Sequence, residues 1–223
     1  MKISKATLAV LKNFAGINGN IWFDKGSLVL TKSVANNITA EMTIAETLPS
    51  EFGIYDLNEF LGVLGLFTDP DLSFTDKVVT ITEGKTKVRY FGADKSILSV
   101  PKARMSFDYI NAESAVSFKL SSEALAQITK TAAVLKVPNV SFEGKGGVMT
   151  ATISDLENKS SNSYSMEIDT IDASVNCTAH FRVENLKMIP NDYTVDLSEA
   201  NVARFANGDL VYHIAIEDDS TFA

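Results

Sequence analysis

The chain has 223 residues, of which 45% are hydrophobic and 22% charged, with a formal net charge of −8. These proportions are typical of a folded globular protein, and the length suits one large domain or two small ones. The net acidity excludes a protein that coats nucleic acid through an overall positive charge. The one cysteine, Cys177, excludes an intrachain disulfide framework and indicates a reducing compartment.

No segment has the pattern of a membrane anchor or a secretion signal. The longest apolar run covers residues 60–67, well short of the length needed to cross a bilayer. The N-terminus lacks the basic and then apolar pattern of a signal peptide. We therefore expect a cytoplasmic protein that makes no membrane contact.

The first predicted element is a helix over residues 4–16, with Ser4 as the expected N-cap. Helical spacing places its apolar side chains on one face, namely Leu8, Leu11 and Ala15 with Val10, Phe14 and Ile17. Lys5 and Lys12 are seven residues apart, about two helical turns, so they share the opposite face with small side chains. No acidic residue occurs in residues 1–23, so this helix presents a basic surface.

Strands predominate after the first helix. Short alternating or apolar runs broken by Gly, Asn and Lys predict strands on both sides of residues 54–67, which predict a second helix starting near Asp56 or Asn58. Residues 99–114 contain a proline, mixed charge and no clear periodicity, which predicts an extended linker. We accordingly place one domain at residues 1–108 and a second at residues 115–223.

The second half of the chain repeats the first at an offset of 117 residues. The stretch FKLSSEALAQITK aligns with the opening of the chain, so that Ser121 falls on Ser4 and caps a helix whose basic front carries Lys130 and Lys136. Strands follow, and residues 183–189 predict a short helix that matches the second helix of the first half. Each half is thus strand-rich with two helices, and the fold class is α+β with two pseudo-equivalent domains.

The two lysine-bearing helix faces indicate contact with a polyanion, and duplex DNA is the obvious candidate. The alternative is that these lysines only solvate two surface helices. Neither helix carries the Arg, Asn and Gln pattern that reads base edges, and no zinc-finger or basic-zipper pattern is present. Lysine is a strongly hydrated point charge suited to loose attraction of phosphates. The pattern therefore predicts that the lysines contact DNA without sequence specificity. Because the chain is acidic overall, it must be held on the DNA by topology.

No motif indicates catalysis or a bound metal. Nucleotide-binding, zinc-protease and serine-hydrolase signatures are absent from the sequence. Ser99 and Lys102 have the S-x-x-K spacing, but they lie in the linker without the motifs that accompany this pair in enzymes. His180 and His213 lie in predicted strands with no further ligand at a suitable spacing. We expect no enzymatic activity, no cofactor and no metal.

Four stretches, in order along the chain, resemble one protein family. They are MKISKATLAVLKNFAGIN at the start, YDLNEFLGVLGLF in the middle, LKMIPNDYTV late in the chain and AIEDDSTFA at the end. The chain is similar to the sliding clamps of T-even-type bacteriophages, which have the duplicated processivity fold. The resemblance implies a head-to-tail trimer, a ring of six domains whose helices line a central hole for duplex DNA. Three chains carry three times −8, or −24, so the acidity would lie away from the basic lining.

The resemblance also implies roles for individual residues. The DNA-facing lysines are Lys5, Lys12, Lys130, Lys136 and Lys187, with Lys2 and Lys119 behind them. Edge strands join neighbouring subunits in this fold, which points to Val88, Tyr90, Tyr164, Met166 and Ile168. The alternating pattern of these five residues suits core-facing side chains equally well. A partner pocket near the linker and the C-terminus points to Val100, Met105, Phe107, Tyr109, Ile110 and Phe222. A linker that packs its own aromatic side chains against the protein suits each of these residues at least equally well.

By the same resemblance, the expected function is that of a clamp that tethers the replicative DNA polymerase to DNA for processive synthesis. The expected partners are the C-terminal peptide of the polymerase, an ATP-driven clamp loader and late transcription factors, in the cytoplasm of an infected bacterium. The alternative is a monomeric, β-rich structural or adhesion module of a phage particle. Such a module would share the strands and the acidity, but it would not explain two lysine-faced helices at matched positions.

Overall fold

The chain divides into two compact units. In the computed structural model, which describes residues 1–104 and 114–222, the first unit is Met1–Arg104 and the second is Met105–Ala223. The division falls within the segment 99–114, which lacks periodicity in the sequence. No helix in the described part of the chain is long and apolar enough to span a membrane.

The first unit contains two α-helices and seven strands among its described residues. The helices are α1 (Lys5–Ile17) and α2 (Leu57–Leu64). The strands are β1 (Ile21–Phe23), β2 (Gly26–Lys32), β3 (Ile38–Leu48), β4 (Phe52–Ile54), β5 (Asp71–Phe74), β6 (Val78–Glu83) and β7 (Thr86–Phe91). β4, β1, β2 and β3 are neighbours in that order in one antiparallel sheet, and β5, β6 and β7 form another.

Local sequence explains where the helices of the first unit begin. Ser4 caps α1, as predicted, because its Oγ accepts the backbone N–H of Thr7 at 3.2 Å. Asp56 caps α2 by accepting two backbone N–H groups of the first turn. The apolar face of α1 packs on β2 and β3, and Leu11 and Phe14 are almost inaccessible to solvent. Burial of this face leaves the opposite, lysine-bearing face of α1 in water.

The second unit contains one α-helix and nine strands among its described residues. The helix is α3 (Ser122–Leu135), capped by Ser121. The strands are β8 (Ser114–Leu120), β9 (Asn139–Lys145), β10 (Val148–Ser154), β11 (Tyr164–Thr170), β12 (Cys177–Arg182), β13 (Tyr193–Ser198), β14 (Val202–Asn207), β15 (Leu210–Ala215) and β16 (Thr221–Phe222). β15, β14, β13 and β8 are neighbours in one antiparallel sheet, and β11, β10, β9, β12 and β16 in another.

Aromatic side chains join the two sheets of the second unit. Phe142 lies between Phe118 and Phe181, with ring centroids 5.3 and 5.5 Å apart, and Phe181 contacts Phe205 at 6.0 Å. These rings come from four different strands and belong to the buried core. Tilted and edge-to-face contacts of this kind add to the stabilisation that burial provides. α3 packs on this core through its contacts with β9 and β10.

The prediction of a helix over residues 183–189 is wrong, because the structure has only a single turn of 3₁₀ helix there, at Val183–Asn185. Beyond this turn, a backbone N–H group that a longer helix would use for its own hydrogen bonds binds a side chain that is distant in sequence. The N–H of Ile189 donates to the hydroxyl of Tyr212 at 3.2 Å instead of to a helical carbonyl. Pro190 disfavours helical backbone at the residue before it.

Candidate functional site

α1 exposes a narrow basic face. Lys5, Ala9, Lys12 and Gly16 are exposed, whereas the other side of the helix is buried. Neither lysine forms an ion pair with a carboxylate in the described residues. The small side chains between the lysines leave both ammonium groups accessible to a large, flat, negatively charged surface.

α3 exposes a matching face in the second unit. Lys130 is exposed beside Ala126 and Ala133, while Leu125 and Ile128 are buried. The exposed Lys136 ends the helix in the left-handed conformation with a φ of 57°, and its N–H bonds to the carbonyl of Ala132 in the last turn. A lysine at this position is favoured by the partial negative charge of the helix C-terminus. Both units thus carry exposed lysines on a helix that packs on antiparallel strands.

Three other lysines predicted to face DNA have different surroundings. Lys2 forms an ion pair with Asp69, and the hydrogen bond to that carboxylate raises the pKa of Lys2. The Nζ of Lys119 donates to the hydroxyl of Thr194 at 2.5 Å. Lys187 is exposed and follows the 3₁₀ turn. The charge of Lys2 is therefore already partly compensated, and the role of all three lysines at DNA stays a prediction.

The residues predicted at the subunit interface lie on two edge strands. β7 is at one edge of the β5–β6–β7 sheet, and β11 is at one edge of the five-stranded sheet. Within the described residues of its own unit, each strand pairs on one side only. The unpaired N–H and C=O groups of an edge strand can pair with a strand of another chain. Val88, Tyr90, Met166 and Ile168 are half-buried, and Tyr164 is 39% exposed.

The ring of Tyr90 contacts α2 in its own unit. The rings of Tyr90 and Phe60 meet edge to face with centroids 5.0 Å apart, and the Tyr90 hydroxyl lies 3.3 Å from a carboxylate oxygen of Glu59. Burial and the negative charge of Glu59 raise the pKa of Tyr90 to about 12. Its side chain therefore packs within the first unit, and a role at a subunit interface stays a prediction.

The same edge strands carry opposite charges that the sequence reading did not single out. On β7, Lys87, Arg89 and Phe91 are exposed, and the guanidinium of Arg89 lies 5.3 Å from the ring centroid of Phe91. On β11, Ser165 and Glu167 are exposed. The alternation of these residues is visible in the sequence, but only the sheet order identifies both strands as edges.

The predicted partner pocket is only partly within the described residues. Val100 is half-buried near the end of the first unit, and Phe222 is half-buried in β16, where it pairs with Cys177. The other predicted members, Met105, Phe107, Tyr109 and Ile110, lie outside the described residues. The pocket as a whole therefore stays a prediction.

The Cys177 thiol and the His180 imidazole are packed or hydrogen-bonded within the second unit. Cys177 is buried, and this burial raises the pKa of its thiol. The Nδ1 of His180 lies 2.6 Å from the hydroxyl of Ser141 on the neighbouring strand. Over residues 1–104 and 114–222, no three His, Cys, Asp or Glu side chains form a group that could hold a metal ion.

Two units of this build, each with a lysine-bearing helix packed on antiparallel strands, have the fold of DNA clamps. PCNA from A. fulgidus, solved with the C-terminal region of FEN-1 bound, matches this structure with a TM-score of 0.68. The match covers 96% of both chains at 15% sequence identity. At that identity, the comparison shows the fold alone.

Sequence comparisons show the family. The family model described as DNA polymerase processivity factor matches residues 2–99, and the one described as gp45 sliding clamp, C terminal, matches residues 117–218. The sliding clamp of Vibrio phage KVP40 is 31% identical over 97% of this chain and 99% of its own length. That of Escherichia phage RB69 is 31% identical over 99% of both chains. The chain belongs to the phage sliding-clamp family, whose members are non-enzymatic processivity factors, and the alternative of a structural phage module is not supported.

Proposed function

We propose that three copies of this chain form a head-to-tail ring that encircles duplex DNA and tethers the replicative polymerase. In this ring, α1 and α3 face the DNA, and β7 of one subunit pairs with β11 of the next. Each subunit then supplies two of six pseudo-equivalent sectors. Lys5, Lys12, Lys130 and Lys136 contact the phosphates, with Lys2, Lys119 and Lys187 at the margin of the contact.

The observation that carries this proposal is the exposure of lysines on one helix of each unit, in a chain of net charge −8. In open solution, the net charge of the protein repels DNA. A ring removes this difficulty, because DNA held in the hole meets the lysine faces at close range, where salt screens their attraction least. Lysine contacts to phosphate carry no sequence information, which suits a protein that slides.

Family membership supports the further partners in this proposal. They are an ATP-driven clamp loader, the C-terminal peptide of the polymerase and late transcription factors, all in the cytoplasm of the infected bacterium. The polymerase peptide binds the predicted partner pocket at Val100, Met105, Phe107, Tyr109, Ile110 and Phe222. A short peptide with a few apolar anchors is the ligand that such a pocket accepts.

The first test of the proposal is the mass of the protein in solution. Light scattering across a dilution series is expected to give three times the chain mass of 24.2 kDa at high concentration. Because a trimer dissociates by mass action, its mass falls only at low concentration. A monomer at every concentration would reject the ring.

The second test is retention on DNA after loading. A ring stays on circular DNA and slides off linear DNA, whereas a protein held only by charge does not distinguish the two. We expect the paired substitutions Lys5→Glu and Lys12→Glu to reduce the amount of protein loaded onto circular DNA by about tenfold or more, because charge repulsion replaces phosphate contacts as the DNA enters the hole. The pair Lys25→Glu and Lys159→Glu, both in exposed loops, is the control with the same change in net charge. Equal loss in the control would mean that net charge, and not the helix face, governs binding.

A further inference from the structure

An apolar cleft opens between α1 and the end of α2 in the first unit. Its volume is about 200 Å³. Its apolar walls are Ile3, Leu8, Leu61, Leu64, Phe67 and Leu72. Leu64 and Leu72 are buried at the floor, whereas the other four side chains are half-buried and remain accessible. A cavity of roughly 150 Å³ accepts benzene, so this α1–α2 cleft has room for one large apolar side chain.

Hydrogen bonds fix the segment that closes one side of the α1–α2 cleft. The carboxylate of Glu83 accepts the N–H of Thr68 at 3.1 Å and the N–H of Asp69 at 2.6 Å. The backbones of Met1 and Leu72 exchange two hydrogen bonds of 2.7 Å each. The cleft is therefore formed before any ligand binds, which lowers the entropy cost of binding.

Two lysines line the rim of the cleft. Lys5 and Lys12 form no ion pair in the described residues, whereas the carboxylate of Asp69 at the same rim already pairs with Lys2. The rim therefore carries uncompensated positive charge beside an apolar floor. The seven residues from Lys5 to Lys12 span roughly 10 Å along the helix, so one small anion pairs with only one of the two lysines.

We propose that the α1–α2 cleft binds a short extended peptide in which one large apolar side chain lies between two carboxylates. In an extended chain, alternate side chains share a face, so a Glu-x-Phe-x-Glu segment directs both acids and the ring to the same side. Its two carboxylates lie roughly 13 Å apart, and the flexible lysine stems span the small mismatch with Lys5 and Lys12. The phenyl ring fills the apolar cleft between them.

This occupant and duplex DNA compete for the same two ammonium groups. That competition rests on the proposed function, since it requires Lys5 and Lys12 to face the DNA. The binding of the peptide does not rest on it, because the cleft and its charges belong to the first unit alone. A partner protein with such a segment would therefore bind the clamp when DNA is absent and be displaced when DNA enters.

The probe is a fluorescein-labelled Glu-Ser-Phe-Ser-Glu peptide, measured by anisotropy with the intact protein and no DNA. We expect saturable binding that weakens by about tenfold or more when Phe is replaced by Ser, because the cleft then stays unfilled. Lys12→Glu weakens binding by about tenfold. Lys159→Glu, a reversal of equal charge in an exposed loop of the second unit, leaves peptide binding unchanged.

Substitutions in the wall separate the cleft from general charge attraction. Leu61→Gln places a polar group at the apolar wall and is expected to weaken binding, whereas Leu61→Met keeps the wall apolar and is expected to preserve binding. Circular dichroism of both variants checks that α2 is intact. The proposal is overturned if no binding is detected, if the Phe and Ser peptides bind equally, or if Lys159→Glu weakens binding as much as Lys12→Glu does.

Displacement of the bound probe by a short linear duplex tests the competition separately. We expect the duplex to release the peptide from the wild-type protein at low salt. If the peptide binds and the duplex does not release it, peptide binding in the cleft is supported and the DNA-facing role of Lys5 and Lys12 is rejected. Failure of the binding proposal and failure of the proposed function therefore give different results.

Discussion

The guanidinium of Arg104 holds the buried carboxylate of Glu41, with Nε 2.9 and 3.0 Å from the two oxygens and Nη2 2.6 Å from one of them. Glu41 lies in β3 with its side chain 5% exposed, and Arg104 is the last residue described before position 114. A buried carboxylate is tolerated when it is paired and hydrogen-bonded. The pair therefore ties the end of the first unit to its own sheet.

Removal of this arginine is expected to destabilise the first unit. Arg104→Ala leaves a buried carboxylate without its cation, which costs about 3–5 kcal/mol in fully buried pairs. Arg104 is 63% exposed, so water compensates part of the loss, and we expect a decrease of about 1–2 kcal/mol in the free energy of unfolding. Urea unfolding measures it, with Lys102→Ala as a control on the same exposed segment. Equal stability of the two variants would contradict a structural role for the pair.

Glu46 in β3 accepts hydrogen bonds from the start of α1, and these bonds are expected to make the stability of the protein sensitive to acid. Burial raises the pKa of Glu46, but hydrogen bonds from the hydroxyl of Thr7, at 2.5 Å, and from Ser4 outweigh it, so the pKa is lowered below its usual 4.5. The ionised form is thus favoured in the folded state. Its contribution to stability is present above pH 4.5 and is lost as the pH falls through the lowered pKa.

Glu46→Gln is therefore expected to lose about 1 kcal/mol of stability at pH 7 and less at acidic pH. Urea unfolding of the variant and the wild-type protein at neutral and acidic pH measures this difference. Glu51→Gln, at an exposed position, serves as the control. A difference between Glu46→Gln and wild type that does not shrink in acid would show that the carboxylate charge is not involved.

Opposite charges on the two edge strands are expected to stabilise the proposed trimer. With the half-buried faces of β7 and β11 aligned, antiparallel pairing brings Lys87 or Arg89 near Glu167. Either Arg89→Glu or Glu167→Lys alone is expected to raise the trimer dissociation constant by about tenfold, and the combination in one chain is expected to restore much of the affinity.

Light scattering on dilution measures the effect of these charge reversals. Glu143→Lys on β9, a central strand of its sheet, is the control for Glu167→Lys, with the same change in charge. If each reversal leaves the dilution profile unchanged, β7 and β11 do not form the joint between subunits. If the double reversal is weaker than either single variant, the two charges do not face each other.

Two glycines are expected to respond to alanine in opposite directions. A Cβ on Gly53 in β4 would clash with the carbonyl oxygen of Ala93, so the backbone must move. A Cβ on Gly62 in α2 would meet nothing within 4 Å. We expect Gly53→Ala to lower the free energy of unfolding by about 2 kcal/mol or more, and Gly62→Ala to raise it by roughly 0.5–1 kcal/mol. Thermal unfolding measures both, and a stable Gly53→Ala variant would contradict the close approach.

Short-range patterns in the sequence predicted the lysine-bearing helices. Apolar spacing and the serine caps at Ser4 and Ser121 predicted α1 and α3 together with their exposed faces, because capping and helical period depend on residues only a few positions apart. The same kind of pattern failed at residues 183–189. There, the hydroxyl of Tyr212, distant in sequence, binds the backbone, and Pro190 ends the segment.

The tertiary structure alone decided which surfaces are available to partners. The order of strands made β7 and β11 edges, and it turned the ring of Tyr90 onto α2. The pairing of Glu41 with Arg104, 63 positions away, and the walls of the α1–α2 cleft likewise depend on chain segments that only folding brings together. Helical period and charge placement are local properties that the sequence determines by itself, whereas edges, clefts and ion pairs arise from long-range packing.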